Sequence, residues 1–329
     1  MRAFVTGGTG FIGSSVVRVL LERNVGVRAL CRPGSIRANM GGLDVEIVEG
    51  DLREAKSIRR GIAGCELVFH VAALYSFWVK PRGLIYEVNV EGTRAVFEAA
   101  KAAGVERIVY TSSVAALGLR EDGKAADETT PTSLDRVVGD YKKSKYLAEQ
   151  LALEYAQEMP IVLVNPSFPV GPRDIKPTPT GQTIVDFLNR KMPAYIETGM
   201  NIVDVEDVAL GHWQAAECGR AGERYILGGE NVTMKGMLDL LAEITGLSAP
   251  TVRVPYGPIL ALSYLNAAFC RLFPFVTPRM TPETIRMSSH YMYFDPAKAV
   301  RELGFPQTPA RDALAKAVAW YRENGYVES

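Results

Sequence analysis

Histidine and cysteine are scarce. Three histidines (His70, His212, His290) and four cysteines (Cys31, Cys65, Cys218, Cys270) lie far apart in 329 residues, with no CxxC pair. That spacing argues against a zinc cluster or a disulfide framework and suits a reducing compartment. No metal site is expected. Neither charge sign is in excess, because 37 Lys and Arg balance 37 Asp and Glu. The chain lacks the electrostatic footprint of a nucleic-acid coat, so nucleic acid is not an expected partner. No uncharged apolar run is long enough for a confident span of ~20 residues. The start, MRAFVT, runs into an apolar strand without the regions of a signal peptide. The expected location is cytoplasmic, with membrane-peripheral association as a variant. Disorder is not expected, because 47% of the residues are hydrophobic and 22% charged. At roughly 100–200 residues per domain, the length allows one large domain or two.

The first half alternates short apolar runs with helical patterns. Strands are expected at Arg2–Thr6, Val27–Cys31, Val45–Glu49, Leu67–His70, Arg107–Thr111 and Ile161–Asn165. Helices are expected over 11–23, 53–62, 84–103 and 140–158. The alternation implies an α/β fold, a Rossmann-type doubly wound parallel sheet covered on both faces. After Pro166 prolines cluster, and the pattern becomes mostly helical with one strand at Arg224–Leu227. The expected division is a dinucleotide-binding domain over 1–170, joined by parts of 201–230. A smaller, mostly helical substrate domain would take up the main part of 171–329.

Gly7, Gly10 and Gly13 have the spacing GxxGxxG between the first strand and the first helix. Dinucleotide binding needs glycines in that context: for the tight turn, for close approach to a pyrophosphate, and for helix–strand packing. Thr9, Phe11 and Ile12 belong to the same loop, whose helix N-terminus offers N–H groups to phosphate. The second strand ends without the acidic residue that usually bonds a ribose 2′-hydroxyl. Arg32 stands there instead, with Arg37 nearby. The expectation is therefore NADP(H), with NAD(H) as the alternative. Asp51 and Leu52 follow the third strand, and Asp51 is a candidate for the adenine amino group. Ala72 and Ala73 end the fourth strand with small side chains. His70 reads as a packed core histidine.

Ser112 and Ser113 end the fifth strand, the side on which open parallel sheets bind ligands. Tyr141 and Lys145 are four apart in a helical pattern and so share a face. Together with the glycines, these segments resemble the short-chain dehydrogenase/reductase superfamily, extended branch, the NAD-dependent epimerase/dehydratase type. The resemblance runs from Ala3 to about Tyr326 and rests on TGGTGFIG (6–13), GDL (50–52), HVAA (70–73), NVEGT (89–93), YTSS (110–113), YKKSK (141–145), NPSFPVGP (165–172) and DVEDVA (204–209). It implies a catalytic triad of Ser113, Tyr141 and Lys145, and it adds Asn89, Pro166 and Ser167 to the cofactor residues. Within the superfamily the chain is most similar to the hopanoid-associated sugar epimerase group. It is also similar to dihydroflavonol 4-reductases and 3β-hydroxysteroid dehydrogenases.

A free tyrosine has a pKa of about 10, and a lysine cation one turn away is expected to lower it. Tyr141 would then exchange the proton of a substrate hydroxyl, held by Ser113, as hydride moves to or from the cofactor. Lys145 would also bond the nicotinamide ribose. The first expectation is an NADP(H)-dependent reductase or dehydrogenase acting on an alcohol or carbonyl of a lipid-like, hopanoid-linked small molecule. The alternative is a sugar epimerase or dehydratase that retains NAD. A non-catalytic redox sensor on the same fold is a remote third. Arg32 favours the first, as does the lack of a basic residue over 197–203, where nucleotide-sugar epimerases tend to carry an arginine. Residues 254–270 contain no charge. They read as a buried helix or homodimer contact, or as an apolar wall, lid or membrane-surface patch.

Overall fold

The computed structural model describes residues 1–76, 79–272, 282–287 and 290–328. The first half runs β1 (Arg2–Thr6), α1 (Phe11–Glu22), β2 (Gly26–Cys31), β3 (Val45–Glu49), α2 (Ala55–Ile62), β4 (Leu67–His70), α3 (Gly83–Tyr86), α4 (Gly92–Ala103), β5 (Arg107–Thr111), α5 (Asp140–Tyr155) and β6 (Ile161–Pro166). A π turn over Glu87–Glu91 joins α3 to α4. The second half runs β7 (Phe168–Val170), α6 (Pro179–Leu188), β8 (Gly199–Asp204), α7 (Val205–Cys218), β9 (Arg224–Leu227), β10 (Glu230–Thr233), α8 (Met234–Thr245), α9 (Tyr256–Leu272), α10 (Pro282–Met287), β11 (Tyr291–Met292), α11 (Ala297–Leu303) and α12 (Ala310–Glu323).

Seven parallel strands form one sheet in the order β3-β2-β1-β4-β5-β6-β9. This is the expected doubly wound Rossmann-type sheet. All of its strands but the edge strand β3 are buried on both faces. Along β1, Ala3 and Val5 face the layer of α1 and α7, whereas Phe4 faces the layer of α2 and α4. In β6, Val162 and Val164 face the first layer, Ile161 and Leu163 the second. Each large buried side chain contributes about 1.5–3 kcal/mol. The span of β-propensities is only ~1 kcal/mol, so burial rather than propensity sets these strands.

The chain returns to this sheet after leaving it. Val208, Ala209 and Ala215 of α7, Tyr225 and Leu227 of β9, and Ala299 and Leu303 of α11 all join the first core layer. The remaining C-terminal region is smaller and largely helical. It also holds a second sheet that the sequence reading does not anticipate. Here β8 pairs with β10 antiparallel and with β7 and β11 in parallel. Its strands are two to six residues long. Such short runs leave no alternation to read, and β8, with all six residues buried, lacks the one-face pattern altogether. Among the described residues, no helix is long and apolar enough to cross a membrane.

Candidate active site

The turn from β1 into α1 is built so closely that side chains are excluded. Gly7 has φ +78°, a left-handed value suited to glycine. A Cβ at Gly13 would lie 2.1 Å from the Gly7 carbonyl oxygen, and one at Gly7 would lie 2.7 Å from the Ala72 nitrogen. The loop closes through Gly10 N–H donating to Gly7 O at 2.9 Å. Phe11 and Ile12 are partly buried at the first turn of α1. The Thr9 carbonyl accepts from Asn39 Nδ2 at 3.4 Å. This compact cradle at a helix N-terminus fits a dinucleotide pyrophosphate. Ser167 adds a buried hydroxyl with no hydrogen-bond partner, just beyond Pro166 at the end of β6.

The remaining cofactor candidates fall into two groups. Ala72 N–H donates to Thr6 Oγ1 at 3.1 Å, and Leu52 packs buried beneath Gly92. Ala73 is exposed beyond β4, and Arg32 is exposed beyond β2. Asp51 accepts from Arg53 Nε at 2.9 Å, and that bond holds its carboxyl below the usual range. Arg37 pairs with Glu49 at 2.6 Å. A guanidinium already engaged by a carboxylate is a poorer receptor for a 2′-phosphate.

Asn89 is buried and serves the backbone. Its Oδ1 accepts from Leu74 N–H at 2.7 Å, and its Nδ2 donates to Ser144 Oγ at 2.9 Å. It thereby ties the segment after β4 to α5. His70 supports the same segment. Thr93 Oγ1 donates to Asn89 O at 2.7 Å, so it accepts from His70 Nε2 at 2.9 Å, and His70 Nδ1 accepts from Thr6 Oγ1 at 2.7 Å. Burial pushes His70 down to about 3, with Lys145 adding to the effect. The ring is neutral and structural.

Ser113, Tyr141 and Lys145 come together at the carboxyl end of β5. The Ser113 hydroxyl hydrogen-bonds the Tyr141 phenol and also accepts from Ala115 N–H at 3.1 Å. Lys145 is 3% exposed; its Nζ donates to Thr111 O at 2.8 Å and sits 5.2 Å from the centroid of the Tyr110 ring. The Tyr75 ring lies against Tyr141 with centroids 4.6 Å apart. The electrostatics differ from expectation. Burial pushes Tyr141 up to about 12, opposed by the bond from Ser113. Burial also pulls Lys145 down to about 8, opposed by Glu149. Desolvation therefore dominates at both groups, and the expected lowering of the phenol by Lys145 does not appear.

The NAD dependent epimerase/dehydratase family pattern matches residues 3–228. The chain belongs to that family. Family members are NAD-dependent oxidoreductases and epimerase/dehydratases that act on small molecules. Over 332 residues the chain is 48% identical to a Synechocystis protein named "Putative dihydroflavonol 4-reductase", covering 99% of this chain and 96% of that one. It is 36% identical to sterol demethylase protein B of Methylococcus capsulatus, covering 99% and 100%. Among solved structures it is similar to DesIV, a dTDP-glucose 4,6-dehydratase from Streptomyces venezuelae with NAD and TYD bound. That match has 25% identity, a TM-score of 0.78, and coverage of 100% and 99%. A UDP-glucuronic acid 4-epimerase from Bacillus cereus in complex with NAD shares the fold, at 19% identity and a TM-score of 0.75 over 98% and 99% of the chains.

The DesIV structures correct the expected NADP(H) preference, because they hold NAD. On the protein's side, Glu49 occupies one of the two candidate guanidinium groups, that of Arg37, while Arg32 stands exposed. The argument from missing basic residues over 197–203 also weakens. Residues 199–204 form the buried strand β8, where a guanidinium would be costly whatever the substrate. The sequence reading missed Asn39, Ser144, Glu149 and Asn165. Glu149 alone had a legible signal, standing four residues past Lys145 as Lys145 stands past Tyr141.

Proposed function

We propose that this family member binds NAD along the β1–α1 turn and works as an epimerase or dehydratase through transient oxidation of a substrate hydroxyl. Residues 1–170, joined by parts of 201–230, would form the cofactor half, and the rest of 171–329 the main substrate half. The observation that carries the reading is the Ser113–Tyr141 hydrogen bond, with Lys145 buried one turn further along α5. NAD supplies a hydride acceptor and a positively charged ring when bound. Ser113 orients the substrate oxygen, and Tyr141 takes its proton and later returns one. Lys145 spends one of its three donors on Thr111 and has others for a ribose hydroxyl. The DesIV relative, a dTDP-glucose 4,6-dehydratase that carries NAD, supports a nucleotide-sugar substrate.

The test begins with the purified protein. NAD should be released on denaturation, and nucleotide sugars should be interconverted with no net NADH accumulation. Tyr141→Phe should lower turnover by about 10²–10⁴-fold while NAD remains bound. An active Tyr141→Phe protein would end the proton-transfer assignment.

A second reading places a lipid-like, hopanoid-linked alcohol in the same site, with α9 as an apolar wall, a dimer contact or a peripheral membrane contact. It is supported by the exposure of Leu262, Leu265 and Phe269 on α9 and by the sterol-related name of one relative. Stoichiometric NADH formation from a detergent-dispersed sterol, with nucleotide sugars inert, would favour it.

A further inference from the structure

The buried face of α5 continues past the lysine. Glu149 stands one turn beyond Lys145 and has no exposed surface. A buried carboxylate without partners is costly, and this one has several. Asn165 Nδ2, at the end of β6, donates to Glu149 Oε2 at 2.6 Å. The same nitrogen donates to the Ser113 carbonyl at 3.1 Å. Arg224 of β9 lies 3.4 Å from Oε1. Ser112 and Tyr110 face the carboxylate from β5, and Lys145 faces it from α5. One carboxylate is thus joined by two bonds to the backbone of Ser113, and its charge acts along the helix on the ammonium of Lys145.

We infer that Glu149 is a positioning residue, fixing Ser113 through Asn165 and keeping the ammonium of Lys145 charged beside Tyr141. The inference rests on the proposed roles of Ser113, Tyr141 and Lys145. Tyr141 and Lys145 compete for protons. When the pair holds a single proton, the useful arrangement is a phenolate beside an ammonium, and the useless one is a phenol beside a neutral amine. Burial favours the useless arrangement, because it disfavours both charges. An anion one turn from Lys145 and two turns from Tyr141 acts more strongly on the lysine, so it shifts the balance toward the useful form. Burial also pushes the Glu149 carboxyl upward, while Asn165, Ser112, Arg224 and Lys145 pull it down. Arg224 is part-exposed and keeps a cation on the outer side of the carboxylate.

The experiment compares wild type, Glu149→Gln and Tyr141→Phe, each saturated with NAD. The first readout is phenolate absorbance near 295 nm across a pH series. Subtracting the Tyr141→Phe curve isolates one tyrosine among the 14 in the chain. Glu149→Gln should move the alkaline limb of the kcat profile that Lys145 sets downward by about one pH unit, because Lys145 releases its proton before Tyr141, and the loss of the anion should move the phenolate titration downward as well. The same substitution should lower plateau kcat about tenfold and leave KM within twofold. An unshifted titration with wild-type kcat overturns the inference, as does a loss confined to thermal stability and KM. The absorbance readout needs no substrate. A wrong substrate class therefore leaves it intact, whereas a wild-type curve identical to that of Tyr141→Phe points to failure of the site assignment itself. Should Glu149→Gln not fold, Asn165→Ser keeps the carboxylate and removes the amide bridge. That variant should reduce kcat several-fold with an unchanged phenolate titration, and unchanged kcat would refute the positioning of Ser113.

Discussion

At Gly13 a methyl group has no room, since its carbon would meet the Gly7 carbonyl at 2.1 Å. The obstacle is backbone, so no side-chain rotation relieves it. Gly13→Ala should therefore reduce NAD affinity at least tenfold and lower the melting temperature, both measurable by titration with NADH fluorescence and a thermal scan. The glycines, Tyr141 and Lys145 were legible because the chemistry fixes their spacing along a single turn or helix. Asn39 was not, because its partners, Thr9 O and Arg173 O, lie far away in the chain. The Arg37 part of the 2′-phosphate reading failed for a related reason. The sequence displays a cation, but its satisfaction by Glu49 depends on the pairing of β2 with β3.

At the scale of elements, the helix from α3 to α4 contains a π turn over Glu87–Glu91, a feature often found beside functional sites. The continuous apolar pattern of 84–103 gave the helix but not the extra residue within it. In that turn Asn89 faces Leu74 and Ser144, and just beyond it Thr93 Oγ1 accepts from His70 Nε2–H while donating to Asn89 O. Thr93→Val would leave the His70 N–H buried without an acceptor. The expected cost is about 1–3 kcal/mol, read as a lower urea midpoint with an unchanged slope. A midpoint equal to wild type would mean that the ring finds another acceptor. The short strands β7, β10 and β11 lie at the opposite extreme of legibility. They exist because β8 offers them a buried template, not because of any periodicity of their own.

Across the whole molecule, two neutral histidines are sealed in the core. His70 is pushed down to about 3 and His212 to about 4, chiefly by burial. His212 donates Nδ1–H to Val208 O at 2.7 Å and accepts from Thr111 Oγ1 at 2.8 Å. Unfolded, each titrates near 6.5. The unfolded chain therefore binds more protons below that value, and stability is full above it and is lost as pH falls. The slope approaches about 1.4 kcal/mol per pH unit for each ring. Buried carboxyls with raised values, such as Asp174, act with the opposite sign. The clean measurement is thus the difference between variants. His212→Asn should show a shallower fall in melting temperature from pH 7 to 5.5 than wild type, and parallel curves would contradict the assignment. The two halves of the molecule are also stitched at a point remote from these rings. The Asn39 amide donates to Thr9 O of the glycine turn and to Arg173 O beyond β7 at 3.0 Å, while Arg18 grips the Asn39 carbonyl at 2.8 Å. A rocking of the C-terminal region against the large sheet must stretch that stitch, so the tightness of the glycine turn and the posture of the C-terminal half are mechanically one variable.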